Sequence, residues 1–354
     1  MEVQRGCAVI KYIGSKRVLV PTITRVMQGL TNASSVIDLF SGTSRVGHGL
    51  KGADFQVISN DLNVYASTLA TCYVQADRED VAERAQTIIE HCNQIKGEPG
   101  YFTRTFCEEG LFFQPKNGAR VDAIRNWLEE QDLSQELRAV LLTSLMEAAD
   151  RVDSTTGVQM AFLKKWAARA HNDLNLRLPA LLTQAKNGKG RATNMEAQEA
   201  ARTLSADVAY LDPPYNQHKY LGNYHIWETL VRWDAPEAYG IARKRVDVRE
   251  RKSDFNAKGR ILDALRQVVS DLDVRHLVVS FSNEGHIGRD EMVQMLSARG
   301  EVFVLEQDFK RYVGAQIGIY NPGGDKVGKV SHLRNKEYLY VVPEKPDDLR
   351  LDEG

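Results

Sequence analysis

Two short apolar runs separated by one helical stretch constrain the fold of this chain more than any other feature. Ser35–Phe40 reads as a buried strand ending in a glycine-containing turn, and Phe55–Asp61 reads as a second strand ending in an acidic residue. Between them Arg45–Lys51 has helical spacing. Strand, helix and strand in so few residues make a βαβ crossover, which requires a parallel sheet. The alternation resumes after about residue 190, with strands at Asp207–Asp212, His276–Phe281, Glu301–Leu305 and Glu337–Val342. Helices are expected at Asn223–Trp233, Arg260–Leu272 and Arg289–Ala298, and Asn321–Asp325 reads as a turn. From about 80 to 188 strand signals nearly vanish. Val121, Ile124, Trp127 and Leu128 share helical spacing, as do Leu137, Val140, Leu141, Leu145 and Ala148, and the pattern continues through Phe162, Trp166 and Ala170. An α/β sheet domain split by a mainly helical insertion is therefore expected.

At 354 residues the chain fits one large domain or two ordinary ones. The expected division is a discontinuous sheet domain at 1–80 and 189–345, an insertion at 81–188 and a charged tail at 346–354. No apolar run is long enough to span a bilayer, and Met1–Arg5 does not begin a signal peptide, so a cytoplasmic protein is expected. Cys7, Cys72, Cys92 and Cys107 are scattered without metal-ligand spacing; reduced thiols and no metal are expected. Net charge is -1, yet Arg243, Lys244, Arg245, Arg249, Arg251 and Lys252 concentrate positive charge in one stretch. Such a run is either a solvated face or a phosphate-binding surface.

Asp212-Pro213-Pro214-Tyr215 follows an apolar strand, and ligands of open α/β sheets lie outside the carboxyl ends of strands. Two prolines remove two backbone donors and leave carbonyls free to accept. A carboxylate beside a proline carbonyl is a matched acceptor pair for an exocyclic amine, and a tyrosine ring can stack on a flipped-out base. The plainer alternative is a proline-terminated strand with Asp212 starting a turn. In Asp38–Gly47 a strand meets a turn of small residues and then a helix, but the three-glycine phosphate fingerprint is absent. Asp38 at the strand end suits the ammonium of an amino acid. Asp61, at the end of the next strand, is either an acceptor for ribose hydroxyls or a helix N-cap.

The tetrad, the turn after the first strand and Lys11-Tyr12-Ile13-Gly14-Ser15-Lys16 together resemble the DNA adenine methylase family, in the motif order of its alpha group. The resemblance implies a Rossmann-like class I methyltransferase sheet, mostly parallel with a late antiparallel strand, and S-adenosylmethionine as cofactor. It implies that Tyr12 and Lys16 lie against the cofactor and active site, and that Asp38, Phe40, Ser41 and Gly42, with Thr43 and Ser44 in the same turn, hold the methionine end. Asp61 would bind the ribose, Leu62 would pack on the adenine, and Asn194 would meet the adenine amine, where the family often has Asp. One departure stands out: Ser44 replaces the second glycine of the family turn, and a modified turn is expected.

The reaction so implied is direct in-line methyl transfer to N6 of adenine in a specific double-stranded DNA sequence, with the base flipped out and no covalent intermediate. No cysteine sits in a Pro-Cys context, which argues against a C5-cytosine enzyme. N4-cytosine or RNA N6-adenine transfer uses the same acceptors, and a non-catalytic DNA-binding subunit could keep the fold. In the insertion, Arg104, Lys116, Arg120 and Arg125 are either base-reading residues or surface charge; the 243–252 run is expected to clamp phosphates or form a lid. The insertion at 81–188 is the expected target-recognition domain, and the enzyme is expected either to serve a restriction-modification system with a cognate restriction endonuclease or to stand as an orphan methyltransferase.

Overall fold

The computed structural model describes residues 10–215, 219–251, 253–310, 319–320, 326–328 and 334–350. Cys7, Lys252 and the Asn321–Asp325 turn lie outside them. Seven strands form one sheet: β1 (Ser35–Asp38), β2 (Gln56–Asn60), β3 (Arg191–Thr193), β4 (Val208–Leu211), β5 (His276–Ser282), β6 (Phe303–Lys310) and β7 (Arg334–Val342). Their spatial order is β3-β2-β1-β4-β5-β7-β6. The first five are mutually parallel, with Ile37 opposite Ile58 on one side and Ala209 on the other. β7 runs antiparallel to both β5 and β6. The chain winds outward from β1 in one direction and from β4 in the other, so the sheet changes direction between them, the place where such sheets bind ligands.

The ten main helices are α1 (Val20–Gly29), α2 (Arg45–Gly52), α3 (Val64–Ala70), α4 (Arg78–Gln94), α5 (Pro115–Glu129), α6 (Gln135–Arg151), α7 (Ala197–Thr203), α8 (His225–Arg232), α9 (Ile261–Asp271) and α10 (Arg289–Leu296). All four residues of β4 are buried, since α7 and α9 pack on one face of the sheet and α1 and α2 on the other. Full burial of each such Val or Leu contributes about 1.5–3 kcal/mol. At the opposite end from the ligand side, Asp207 accepts from the Ser34 and Ser35 backbone N–H groups at 2.8 and 2.9 Å and pairs with Arg275. Burial opposes that charge, but these bonds hold the Asp207 carboxyl well below the usual carboxylate range.

The helices of the insertion do not close a core of their own. Ile124, Leu141 and Leu145 share one buried cluster with Tyr65 and Leu69 of α3 and with Trp227 and Leu230 of α8. The helix expected through Phe162, Trp166 and Ala170 is not formed; only Ala168–His171 makes a short 3-10 turn. Local polar bonds win there: Leu163 N–H donates to the Ser154 carbonyl (2.9 Å), Ala167 N–H to Ser154 Oγ (3.1 Å), and Arg169 Nε to Asp153 (2.7 Å). Side-chain acceptors of this kind compete with the helical ladder. Cys72, Cys92 and Cys107 are buried thiols without disulfides, and among the described residues no helix is long and apolar enough to cross a membrane.

Candidate active site

A cavity of about 460 Å³ opens at the carboxyl ends of β1, β2 and β4. Its size suits a nucleoside-sized ligand. Of the expected positions, Tyr12, Lys16, Asp38, Phe40, Ser41, Gly42, Thr43, Asp61, Leu62, Asn194, Asp212 and Pro214 all border it. Ser44, Pro213 and Tyr215 do not. Ser44 and Thr43 border a smaller cavity behind the turn, Pro213 is buried, and Tyr215 sets its ring edgewise to Phe281 at 5.9 Å.

The turn after β1 holds this shape without its second glycine. Ser44 is buried with φ +57 and ψ 23, the left-handed conformation, and its N–H donates to the Ser41 carbonyl at 2.6 Å. A serine there carries roughly 1–2 kcal/mol of backbone strain that glycine would not. The departure from the family turn thus falls on a residue held in the left-handed conformation. Gly47 in α2 cannot be replaced so easily: a Cβ would lie 2.7 Å from Ser59 Oγ and 3.3 Å from Asp38 Oδ2.

Asp61 ties the first two strand ends together. Its Oδ2 accepts from Gly42 N–H (2.9 Å), and its Oδ1 accepts from the backbone and side-chain N–H groups of Asn63 (2.9 and 3.1 Å). Asn63, not Asp61, is the residue that caps α3. These bonds hold the Asp61 carboxylate at the edge of the cavity, which it borders. Asn194 Nδ2 donates to the carbonyls of Asp61 and Leu62 at 2.7 and 2.9 Å, which turns its amide oxygen into the group available to a ligand amine. Buried Asn60 straps the β1 and β3 ends, donating to the Leu39 and Met195 carbonyls.

Asp38 presents an unpartnered Oδ2. Burial, reinforced by the charge of Asp212, pushes its carboxyl up to about 8. Around the far side of the cavity Tyr12 stacks between Tyr224 (centroids 4.5 Å apart) and Tyr220 (5.3 Å), and lies against Gly42. Lys16, 7% exposed, contacts Glu337 of β7 and reaches Asp212 Oδ1 at 3.0 Å. Burial raises the Asp212 carboxyl to about 6, with Lys16 opposing and Glu337 reinforcing. Lys16 stays charged: burial works against it, but Asp212 and Glu337 hold its ammonium well above its ordinary value.

The basic residues depart most from expectation. Arg125 is 1% exposed, donates to the Leu230 carbonyl at 2.7 Å, pairs with Glu129 and lies over Trp233. Arg120 donates to the carbonyls of Leu174, Cys92 and Asn93. Arg245 is 2% exposed and forks onto Asp234 and Asp247. All three are engaged within the protein, Arg120 and Arg125 on backbone carbonyls and Arg245 on two partly exposed carboxylates. Lys116 pairs with Asp173 and Arg243 with Glu109. Lys244 is half-buried in a short hairpin, Tyr239 opposite it. Arg249 is exposed and stacks over Tyr239 at 3.7 Å, and Arg104 is exposed near Tyr101. Arg251 faces the other way: it borders the cavity and meets buried Glu228 at 3.5 Å.

Sequence reasoning missed Val248, Ser253 and Phe255 in the wall opposite the strand ends and gave its fourth member, Arg251, to phosphates; that wall borders the cavity with Phe255 edgewise to Phe40 at 5.0 Å. It also assigned nothing to Glu337, Ser280, Tyr220 or Tyr224. The aromatic spacing Tyr215, Tyr220, Tyr224 after the tetrad was the one available signal.

Comparisons with known proteins place the chain in a family. The chain is 29% identical over 327 residues to the modification methylase StsI of Streptococcus sanguinis, covering 87% of this chain and 50% of that protein. It is 30% identical over 311 residues to the type II methyltransferase M.FokI of Planomicrobium okeanokoites, covering 82% and 47%. With the type II methyltransferase M.NlaIII of Neisseria lactamica it shares 26% over 348 residues, 94% of this chain and 99% of that one. The chain thus spans about half the length of the first two relatives and nearly all of the third. Residues 12–295 match the model of the D12 class N6 adenine-specific DNA methyltransferases, and the chain belongs to that family.

Proposed function

We propose that this protein transfers a methyl group from S-adenosylmethionine to N6 of adenine in a specific double-stranded DNA sequence, on a base flipped out of the helix. The observation that carries this is one cavity with matched acceptors at both ends: unpartnered Asp38 at the strand-end turn and Asp212 beside two prolines. The residues suit this cofactor. Asp38 and Ser41 take the ammonium, Asp61 takes one ribose hydroxyl, the Asn194 oxygen accepts the adenine amine, and Leu62 and Phe40 pack on the ring. When bound, the cofactor supplies an electrophilic methyl carbon on a cationic sulfur.

The chain's own work is orientation. Asp212 and the Pro213 carbonyl accept from the target amine, which turns its lone pair out of conjugation and along the line of transfer. Tyr215 is the ring suited to stack on the base, with Lys16 Nζ 5.8 Å from its centroid here. Arg249 and Arg104 are the exposed cations suited to phosphates, whereas Arg251 closes the cofactor wall. The names of the relatives, modification methylase and type II methyltransferase, favour a modification role; on this reading the protein acts in the cytoplasm, at the nucleoid, with a cognate restriction endonuclease as its counterpart.

The test is long-read sequencing of DNA from a methylation-deficient host expressing the protein. N6-methyladenine at every copy of one short motif is expected. Modified cytosine at N4, or modified RNA with unmodified DNA, overturns the substrate, and failure to bind S-adenosylmethionine overturns the reading entirely.

A further inference from the structure

Glu337 is 6% exposed on β7, in register with Ser282 of β5 and Gln307 of β6. A carboxylate buried in a sheet is costly unless it is paired and hydrogen-bonded. Glu337 is both: Lys16 Nζ contacts its Oε1, and Ser280 Oγ donates to the same atom at 2.8 Å. That ammonium also meets Asp212 Oδ1 at 3.0 Å. One buried cation is therefore shared by two carboxylates from different strands, and only Asp212 borders the cavity.

Neutralising Asp212 would need one lysine and nothing more. A second carboxylate adds a further desolvation cost, and its consequence appears when Asp212 turns to another partner. Without Glu337, a target amine displacing Lys16 from Asp212 would leave a buried ammonium unpaired. With Glu337, the ammonium keeps a counter-ion and a fixed place. We propose that Glu337 is a positioning residue for methyl transfer, retaining Lys16 while Asp212 exchanges that ammonium for the amine of the target base. This rests on the functional reading above.

The charged and titratable groups around Asp212 are Lys16, Glu337, Tyr210, Tyr215, Tyr220 and Asp38. Among them the charge of Glu337 pushes the Asp212 carboxyl upward, after burial, and Lys16 pushes it down. The experiment is the pH dependence of single-turnover methyl transfer in Glu337→Gln, Glu337→Asp and Lys16→Met. Glu337→Gln is expected to slow transfer roughly ten- to a hundredfold and to move the acid limb to lower pH, because Asp212 loses a repelling neighbour. S-adenosylmethionine affinity should stay unchanged, since Glu337 does not border the cavity. Glu337→Asp keeps the charge and should restore the limb and part of the rate; Lys16→Met should move the limb to higher pH. A merely structural Glu337 would lower activity and thermal stability together at every pH without moving the limb. That result, or wild-type rate and limb in Glu337→Gln, overturns the proposal. Should Glu337→Gln fail to fold, Glu337→Met, which removes the same charge with a side chain of similar length that needs no hydrogen bond, takes its place with a shift in the same direction. Carboxyl-carbon NMR titration of Asp212 reads the same coupling without turnover. A wild-type protein that methylates no DNA therefore sinks the functional reading, whereas an Asp212 titration indifferent to Glu337 sinks this one.

Discussion

Asp38, Asp61 and Asp212 reach the cavity from the carboxyl ends of three adjacent strands, whereas Val248, Arg251 and Phe255 reach it from an irregular segment held by ion pairs. On the first wall, parallel pairing fixes each residue: Asp38 lies opposite Ser59 and Tyr210, so the next positions along the strands must converge. On the second, Arg245 is locked between Asp234 and Asp247, and Arg232 and Arg251 join the same acids. Backbone register places functional groups where the chain direction says they must be. A charged loop places them only by the bonds its side chains happen to find, so like residues a few positions apart end up inside and outside.

The largest test removes the acid beside the two prolines. Asp212→Ala should cut methyl transfer by at least about a thousandfold with unchanged circular dichroism, because Lys16 keeps Glu337 as its partner. Activity within tenfold of wild type would break the assignment.

The second wall is sharpened by a paired substitution. Arg245→Ala leaves Asp234 and Asp247 without their fork and should cost about 3 kcal/mol, toward the low end for buried pairs because both acids are partly exposed. Arg249→Ala should leave denaturant unfolding unchanged within about 0.5 kcal/mol and lower the salt slope of DNA binding by about one. Equal stability of the two variants would mean that inward and outward arginines do not differ.

Asp61→Ala should weaken cofactor binding by about 2–3 kcal/mol, of which only one bond is to the ligand. The rest reflects Gly42 and Asn63 losing their acceptor. Calorimetry on Asn63→Ala, which removes one donor to Asp61 but keeps the carboxylate, is expected to reproduce only a small part of that loss and so separates the two shares.

Asp38 predicts a pH effect. Its carboxyl titrates near 8 in the folded chain, so at pH 6–7 it holds a proton that the unfolded chain has already released. Stability accordingly falls as pH rises from the ordinary carboxylate range to about 8. An ammonium ligand favours the ionised form, so binding should release about one proton and tighten nearly tenfold per pH unit over that window. Calorimetry in two buffers of different ionisation heat should show the release, and Asp38→Asn should abolish it.

The smallest effect is expected at the turn itself. Ser44→Gly removes left-handed strain and a buried hydroxyl without a partner, offset by the greater freedom of unfolded glycine. A net gain of about 0.5 kcal/mol, about 1 °C in Tm, should result. A lower Tm would show that the Ser44 side chain contributes more than its backbone conformation costs.

The strands at 35, 56, 208 and 276 were legible because buried parallel strands are short apolar runs bounded by turns, and the site residues at their ends came with them. The helix absent at 162–170 was not, because its apolar spacing is helical while Ser154 and Asp153, distant in the pattern, claim the backbone and Arg169. Nor could Arg120, Arg125 and Arg245 be sorted from Arg249, since a guanidinium satisfies a buried carbonyl as readily as a phosphate and only the neighbours decide.

Local pattern by itself therefore determined the parallel sheet, the strand-end acids, the acceptor tetrad and the tolerance of serine in the turn, since each depends on residues close in the chain. The tertiary structure decided what depends on distant residues meeting: the shared cluster joining the insertion to α3 and α8, the Tyr220–Tyr12–Tyr224 stack, and Lys16 held between Asp212 and Glu337. Burial makes those meetings strong, because a charge or ring taken out of water must find its partner wherever the fold has put one.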